Sequence, residues 1–217
     1  MKAWKAVPML LIAMFAWGAT AADAAVIKAE SYPASLTGNQ MGTGTGGTPG
    51  ESGTILSFEG QMTECGSGGF TGELKAASSQ LSVNQFGLSC TAFGFMTSSL
   101  SWNGCNYLLH VGSGSGDEFT GTIDFVCPEG QKVVITAGNC EIQIGAQSGL
   151  PGVSYENLTI EKKLRIVFDV KGITYTKTKD GAFCPLNGTG VATNGVLVGG
   201  TKVSGTSGGV ATGLRIE

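Results

Sequence analysis

The sequence predicts an all-β fold: an antiparallel β-sandwich or barrel-like domain of about a dozen short strands, stapled by disulfides. Three observations lead there. Short apolar runs alternate with period two and show almost no helical 3.6-residue repeat. Glycine, at 36 of 217 residues, is far above its usual share of about 7%, and it clusters between those runs with Asn and Ser, as turns and bulges require. Six cysteines follow an export leader, so they belong to an oxidising compartment.

The leader is the first element. Met-Lys-Ala-Trp-Lys is a short positive start, residues 9–19 (MLLIAMFAWGA) are apolar, and Ala22-Asp23-Ala24 is the small-x-small pattern behind which signal peptidase cuts. An apolar run this short falls below the roughly 20 residues that span a bilayer. Residues 1–24 are therefore read as a secretory signal peptide, with the mature chain secreted or associated with the cell envelope and not inserted in a membrane. The mature chain carries eleven Lys and Arg against fifteen Asp and Glu, a net of −4. That balance argues against nucleic acid or an anionic membrane as a partner, since both demand clustered cations.

Residues 25–54 read as an N-terminal strand (26–31) followed by a Gly-rich loop, GNQMGTGTGGTPGESGT at 38–54. Residues 55–217 read as the β domain. Strands are expected at 54–59, 68–76, 80–86, 95–102, 105–111, 118–127, 131–137, 140–145, 153–160, 163–171, 172–179, 189–198 and 209–216. The clearest is 163–171: Leu164, Ile166, Phe168 and Val170 fall on one face, with Lys163, Arg165, Asp169 and Lys171 on the other.

The cysteines allow 15 pairings, and hairpin arithmetic selects one set. Setting Cys105 opposite Cys127 places Tyr107 against Phe125, Leu109 against Ile123 and Val111 against Gly121, so the register that forms the bridge also forms a core face. Cys65 and Cys90 bracket a second hairpin about Ala77-Ser78-Ser79, with Phe70 facing Gln85 and a bulge expected near Gly68–Gly69 or Gly87. Cys140 and Cys184 bracket the Glu161-Lys162 turn. Linking Cys127 to Cys140, or Cys90 to Cys105, would put a turn inside an apparent strand. Structural zinc is disfavoured because no C-x-x-C pair occurs.

Candidate chemistry is sparse, and no catalytic, cofactor-binding or metal-binding residue is assigned. His110, the only histidine, shows no carboxylate partner in sequence and reads as a strand residue on the face opposite Tyr107 and Leu109. Gly205-Thr206-Ser207-Gly208-Gly209 spells a nucleophile elbow, but neither a following helix nor a later histidine accompanies it. Residues 42–47 spell G-x-G-x-x-G without opening a helix, so they read as linker. Asp117, Glu118, Asp124 and Glu129 lie together in sequence and are the calcium candidates; solvated hairpin charges explain them equally well. Trp102, the one tryptophan beyond the leader, alternates with Leu100, which points to core packing more than to a sugar platform. Asn157 and Asn187 head N-x-[ST] acceptor triplets.

The segments Tyr32–Gly38, Cys90–Gly94, Asn103–Tyr107, Gly172–Thr176 and Asn187–Gly190 together resemble a group of small secreted bacterial proteins, β-rich and cysteine-paired. The resemblance implies an exported all-β domain and brings no catalytic residue, ligand or cofactor with it. The expected function is thus a non-enzymatic extracellular module, structural or binding, for a partner or surface the sequence does not name. A carbohydrate- or calcium-binding module is the alternative.

Overall fold

The computed structural model describes residues 25–41 and 53–217. The leader, most of the Gly-rich loop and the G-x-G-x-x-G segment lie outside them. Fifteen strands and no helix occur among the described residues: β1 (Ile27–Ala29), β2 (Ala34–Met41), β3 (Thr54–Phe58), β4 (Gln61–Leu74), β5 (Gln80–Ala92), β6 (Met96–Ser101), β7 (Asn106–Ser115), β8 (Glu118–Val126), β9 (Val133–Ala137), β10 (Cys140–Ile144), β11 (Gln147–Leu158), β12 (Lys163–Asp180), β13 (Gly190–Ser207), β14 (Val210–Thr212) and β15 (Leu214–Ile216). The all-β, antiparallel expectation holds.

The pairings close the sheet twice. Near the chain termini the ring runs β2-β4-β5-β7-β8-β11-β12-β13 and returns to β2. Near the other end it runs β3-β4-β5-β6-β9-β10-β12-β13 and returns to β3. The molecule is one barrel of two storeys with eight strands around at each level. Four strands, β4, β5, β12 and β13, run the full height; the other eight ring strands each serve one storey and hand over at the waist. An eight-stranded ring leaves an interior just wide enough for side chains to fill. A single apolar cluster fills it, from Leu36, Phe70 and Leu164 in the upper storey to Phe58, Ile142 and Tyr175 in the lower.

The strands are longer than expected. Segments 163–171 and 172–179 are one strand, β12, whose register shifts around Gly172 (φ 78°), where the two storeys join. Residues 34–41, expected to turn into loop from 38, form β2 and complete the upper ring between β13 and β4. Gly38 hid that strand. A Cβ there would lie 2.5 Å from the Phe70 ring, so this glycine makes room for an aromatic across the ladder rather than a turn. The Gly-Ser run at 112–117, expected as a loop, extends the ladder past a bulge after Val111 to Ser115, and only Gly116 and Asp117 turn.

All three disulfides form as the hairpin arithmetic required: Cys65–Cys90, Cys105–Cys127 and Cys140–Cys184. Tyr107 faces Phe125, Leu109 faces Ile123 and Val111 faces Gly121. In the second hairpin Phe70 does face Gln85, because two register shifts flanking Ser67 cancel. The first two bridges sit at the waist. The third ties the lower end of β10 to the connection after β12.

Both ends are closed. At the upper end β1 and β15 pair, burying Ile27, Leu214 and Ile216 over the core. Asn157 fastens this lid by donating to the Ile216 carbonyl (2.9 Å) and accepting from its N–H (2.7 Å). The first acceptor triplet is thereby spent on structure. At the lower end Lys177 points inward, only 6% exposed, and reaches the Glu59 carboxylate and the Asn187 carbonyl. Glu59 also accepts the Asn187 N–H at 2.8 Å, pinning the β12–β13 connection across the mouth.

That plug has a pH signature. The Asn187 N–H, and then Lys177, hold the Glu59 carboxyl below its usual 4.5. A depressed carboxylate contributes stability that is complete above its unfolded pKa and is lost as pH falls through its folded value. Urea unfolding of the wild type should therefore weaken from pH 5 downward. A Glu59→Gln variant should be weaker at pH 7 and converge on the wild type in acid; parallel curves would remove Glu59 from the effect. Glu141 adds to the slope, since hydrogen bonds from Lys179, Thr178 and Gln143 lower its pKa to about 2.

Candidate functional site

Among the described residues the interior is packed with apolar side chains, and polar and charged side chains lie mostly on the outer surface. Along the strands apolar side chains point in and polar ones out, as in β12, where Leu164, Ile166, Phe168 and Val170 are buried. A lipid-facing barrel has the opposite polarity. No helix among the described residues is long and apolar enough to cross a membrane.

His110 lies on the outer face of β7 and, contrary to expectation, has a carboxylate partner. Its Nε2 is 2.8 Å from Asp124 Oδ2 on the adjoining β8. The two are diagonal neighbours, two residues off the direct partners Thr122 and Leu108, a relation invisible until the register is set. The other Asp124 oxygen accepts the Gly149 N–H at 2.7 Å, so Asp124 tethers the start of β11. Among the described residues, no hydroxyl or thiol side chain hydrogen-bonds the imidazole, so this pair lacks the nucleophile of a triad.

The remaining sequence candidates disperse. Residues 205–209 cross the β13–β14 hairpin, where Gly208 (φ 57°) and Gly209 (φ 82°) supply the two left-handed positions of a type I′ turn. Ser207 ends β13 there and stands on no elbow. Trp102 is partly buried and packs edge-on against Tyr107 with ring centroids 5.0 Å apart, at the margin of the core cluster. Among the described residues no three His, Cys, Asp or Glu side chains converge as a metal site would need. Asp117 lies in the turn at the upper rim and Glu118 begins β8, while Asp124 is committed to His110 and Gly149.

What the surface does offer is a half-open trough of about 420 Å³ on the upper storey. The β7–β8 hairpin, flared by its bulge and tied by a Thr120-to-Ser113 hydrogen bond (3.0 Å), forms one wall. The outer faces of β11 and β12 form the other, through Ser154, Glu156 and Arg165. Gly121 permits the close packing beneath, since a Cβ there would strike the His110 carbonyl at 2.0 Å and the Tyr155 ring at 2.8 Å. Arg165 is ion-paired to Glu156 through Nη1. Sequence reasoning named Glu118 as a calcium candidate or solvated hairpin charge and Arg165 as a residue of the polar face of its strand. Their convergence needs the β8–β11–β12 registers and the bulge, and no local motif encodes either.

Comparison of the chain with protein-family models, with curated proteins and with solved structures finds no match, so the reading of this surface rests on its own geometry.

Proposed function

We propose that this protein is an exported, disulfide-stapled β-barrel module that acts outside the cytoplasm through its outer surface, by binding or by building structure, and not by catalysis. The observation that carries the reading is the distribution of its three disulfides, two at the waist and one at the lower mouth of a barrel with no free cysteine. Bridges of this density suit a chain that folds once in an oxidising compartment and then persists without chaperones. The filled interior supports a role for the surface, because an apolar core cluster occupies the barrel among the described residues. His110 supports the non-catalytic half, since its one carboxylate partner is also a structural tether.

The test is expression of the full-length chain in an exporting host, followed by fractionation and thiol alkylation. The mature protein should begin at Ala25, appear outside the cytoplasm, and resist alkylation at all six cysteines until reduced. Cytoplasmic retention with reactive thiols would overturn the reading. So would a hydrolytic activity of the purified protein that disappears in His110→Ala.

A further inference from the structure

We propose that the trough between the β7–β8 hairpin and the outer faces of β11 and β12 is a binding site for an uncharged saccharide. The inference rests on the binding-module reading and gives that module its ligand class.

The first observation is a cost the fold gains nothing from. Glu118 on β8 and Glu156 on β11 are direct cross-strand partners on the outer face. Carboxylates so placed sit with Cβ atoms about 5 Å apart and repel, which destabilises the ladder. Arg165, the partner of Glu156 on β12, neutralises only one of them. Among the described residues the Glu118 side chain makes no hydrogen bond or ion pair. A like-charge pair retained in a well-formed sheet marks a surface shaped for something other than stability.

The second observation is the chemistry of the walls. Two carboxylates offer acceptors, the Arg165 guanidinium offers donors, the Ser113 and Ser154 hydroxyls can do either, and the Thr120 hydroxyl, whose proton goes to the Ser113 carbonyl, can accept. A polyol matches this set, because each of its hydroxyls both donates and accepts. The net charge of the lining, one positive group against two negative, disfavours an anionic ligand. The guanidinium pointing into the same trough disfavours a simple cation. The volume is within the range of small-molecule sites, and the half-open shape admits a chain that continues past both rims. The Arg165 Nε–H is buried without a partner, so the guanidinium holds a hydrogen bond in reserve that a modest rotation would bring to a ligand.

The test is a glycan array of neutral, acidic and amino-sugar oligosaccharides, probed with the oxidised mature protein and three variants. Wild type should bind one or more uncharged oligosaccharides. Ser154→Trp, which fills the trough from an exposed strand position, should lower that binding at least tenfold. Glu118→Gln should lower it several-fold while its melting temperature stays at or above the wild-type value, because removing one charge relieves the repulsion from Glu156. A purely structural Glu118 would not separate the two readouts in that way. Lys171→Ala, on the exposed face of β12 away from the trough, should bind as wild type. Binding of no uncharged glycan, binding confined to acidic or amino sugars, or binding unchanged in Ser154→Trp would each overturn the proposal. A correctly exported, oxidised protein that binds no uncharged glycan removes the trough alone, whereas a cytoplasmic, reduced protein removes the module reading whatever the array shows.

Discussion

A Cys105→Ala, Cys127→Ala double variant should fold to the same barrel and melt roughly 6–12 °C below the wild type. The bridge spans 22 residues. In the chain-entropy account, opening a loop of that size restores conformational freedom to the unfolded chain worth about 3 kcal/mol. For a domain of this length each kcal/mol moves the midpoint by about 2–4 °C. The native state should tolerate the change because the bridge is redundant with the register it sits on. Tyr107 against Phe125 and Leu109 against Ile123 continue the same face, and the Tyr107 ring is held edge-on by both Trp102 and Phe125. Far-UV circular dichroism should therefore superimpose at 20 °C while calorimetry shows the earlier transition. An unshifted midpoint would mean the waist is held by other contacts. Loss of β signal at 20 °C would mean the bridge is needed to form the hairpin at all.

The residues that made this hairpin legible also show where legibility stops. Cys105, Tyr107, Leu109 and Val111 carry a strict period-two pattern, and their partners do too, so one constant sum of residue numbers fixes bridge, core and neighbour together. β12 announced itself the same way. β2 did not, because Gly38 interrupts its alternation and the ring that replaces the missing side chain comes from Phe70, distant in sequence. The β7–β8 extension was hidden for a related reason: a Gly-Ser run reads as loop when its hydrogen bonds are supplied by a facing strand. The double closure was out of reach altogether. It depends on β4, β5, β12 and β13 each passing through the waist without breaking, and the sequence marks those crossings only by glycines and bulges that look like chain ends. The candidate site inherits that limit. His110 meets Asp124 on a diagonal, and Glu118 meets Glu156 and Arg165 across three strands, so their chemistry exists only after the registers are set.

At the lower mouth, Lys177→Met should cost about 3 kcal/mol, near the lower end of the range for breaking a buried ion pair. Methionine keeps the length and apolar stem of the side chain, so packing around Tyr175 and Phe58 is largely retained. What changes is Glu59, 16% exposed at its side chain, which loses its cation and keeps its hydrogen bonds from Asn187. The penalty arises mainly from that stranded carboxylate rather than from the lost attraction, and this gives a way to check the cause. A Lys177→Met, Glu59→Gln double variant removes both charges while leaving, on a side chain of the same length, an amide oxygen able to accept the Asn187 N–H. It should recover most of the stability lost in the single variant, as urea midpoints at pH 7 would show. The single variant should still lose stability as pH falls, but with a shallower slope than the wild type, because the Asn187 N–H, the larger cause of the depressed Glu59 carboxyl, remains while Lys177 is gone. If the double variant is no more stable than the single one, the lysine acts through packing and the lower mouth is not closed by charge.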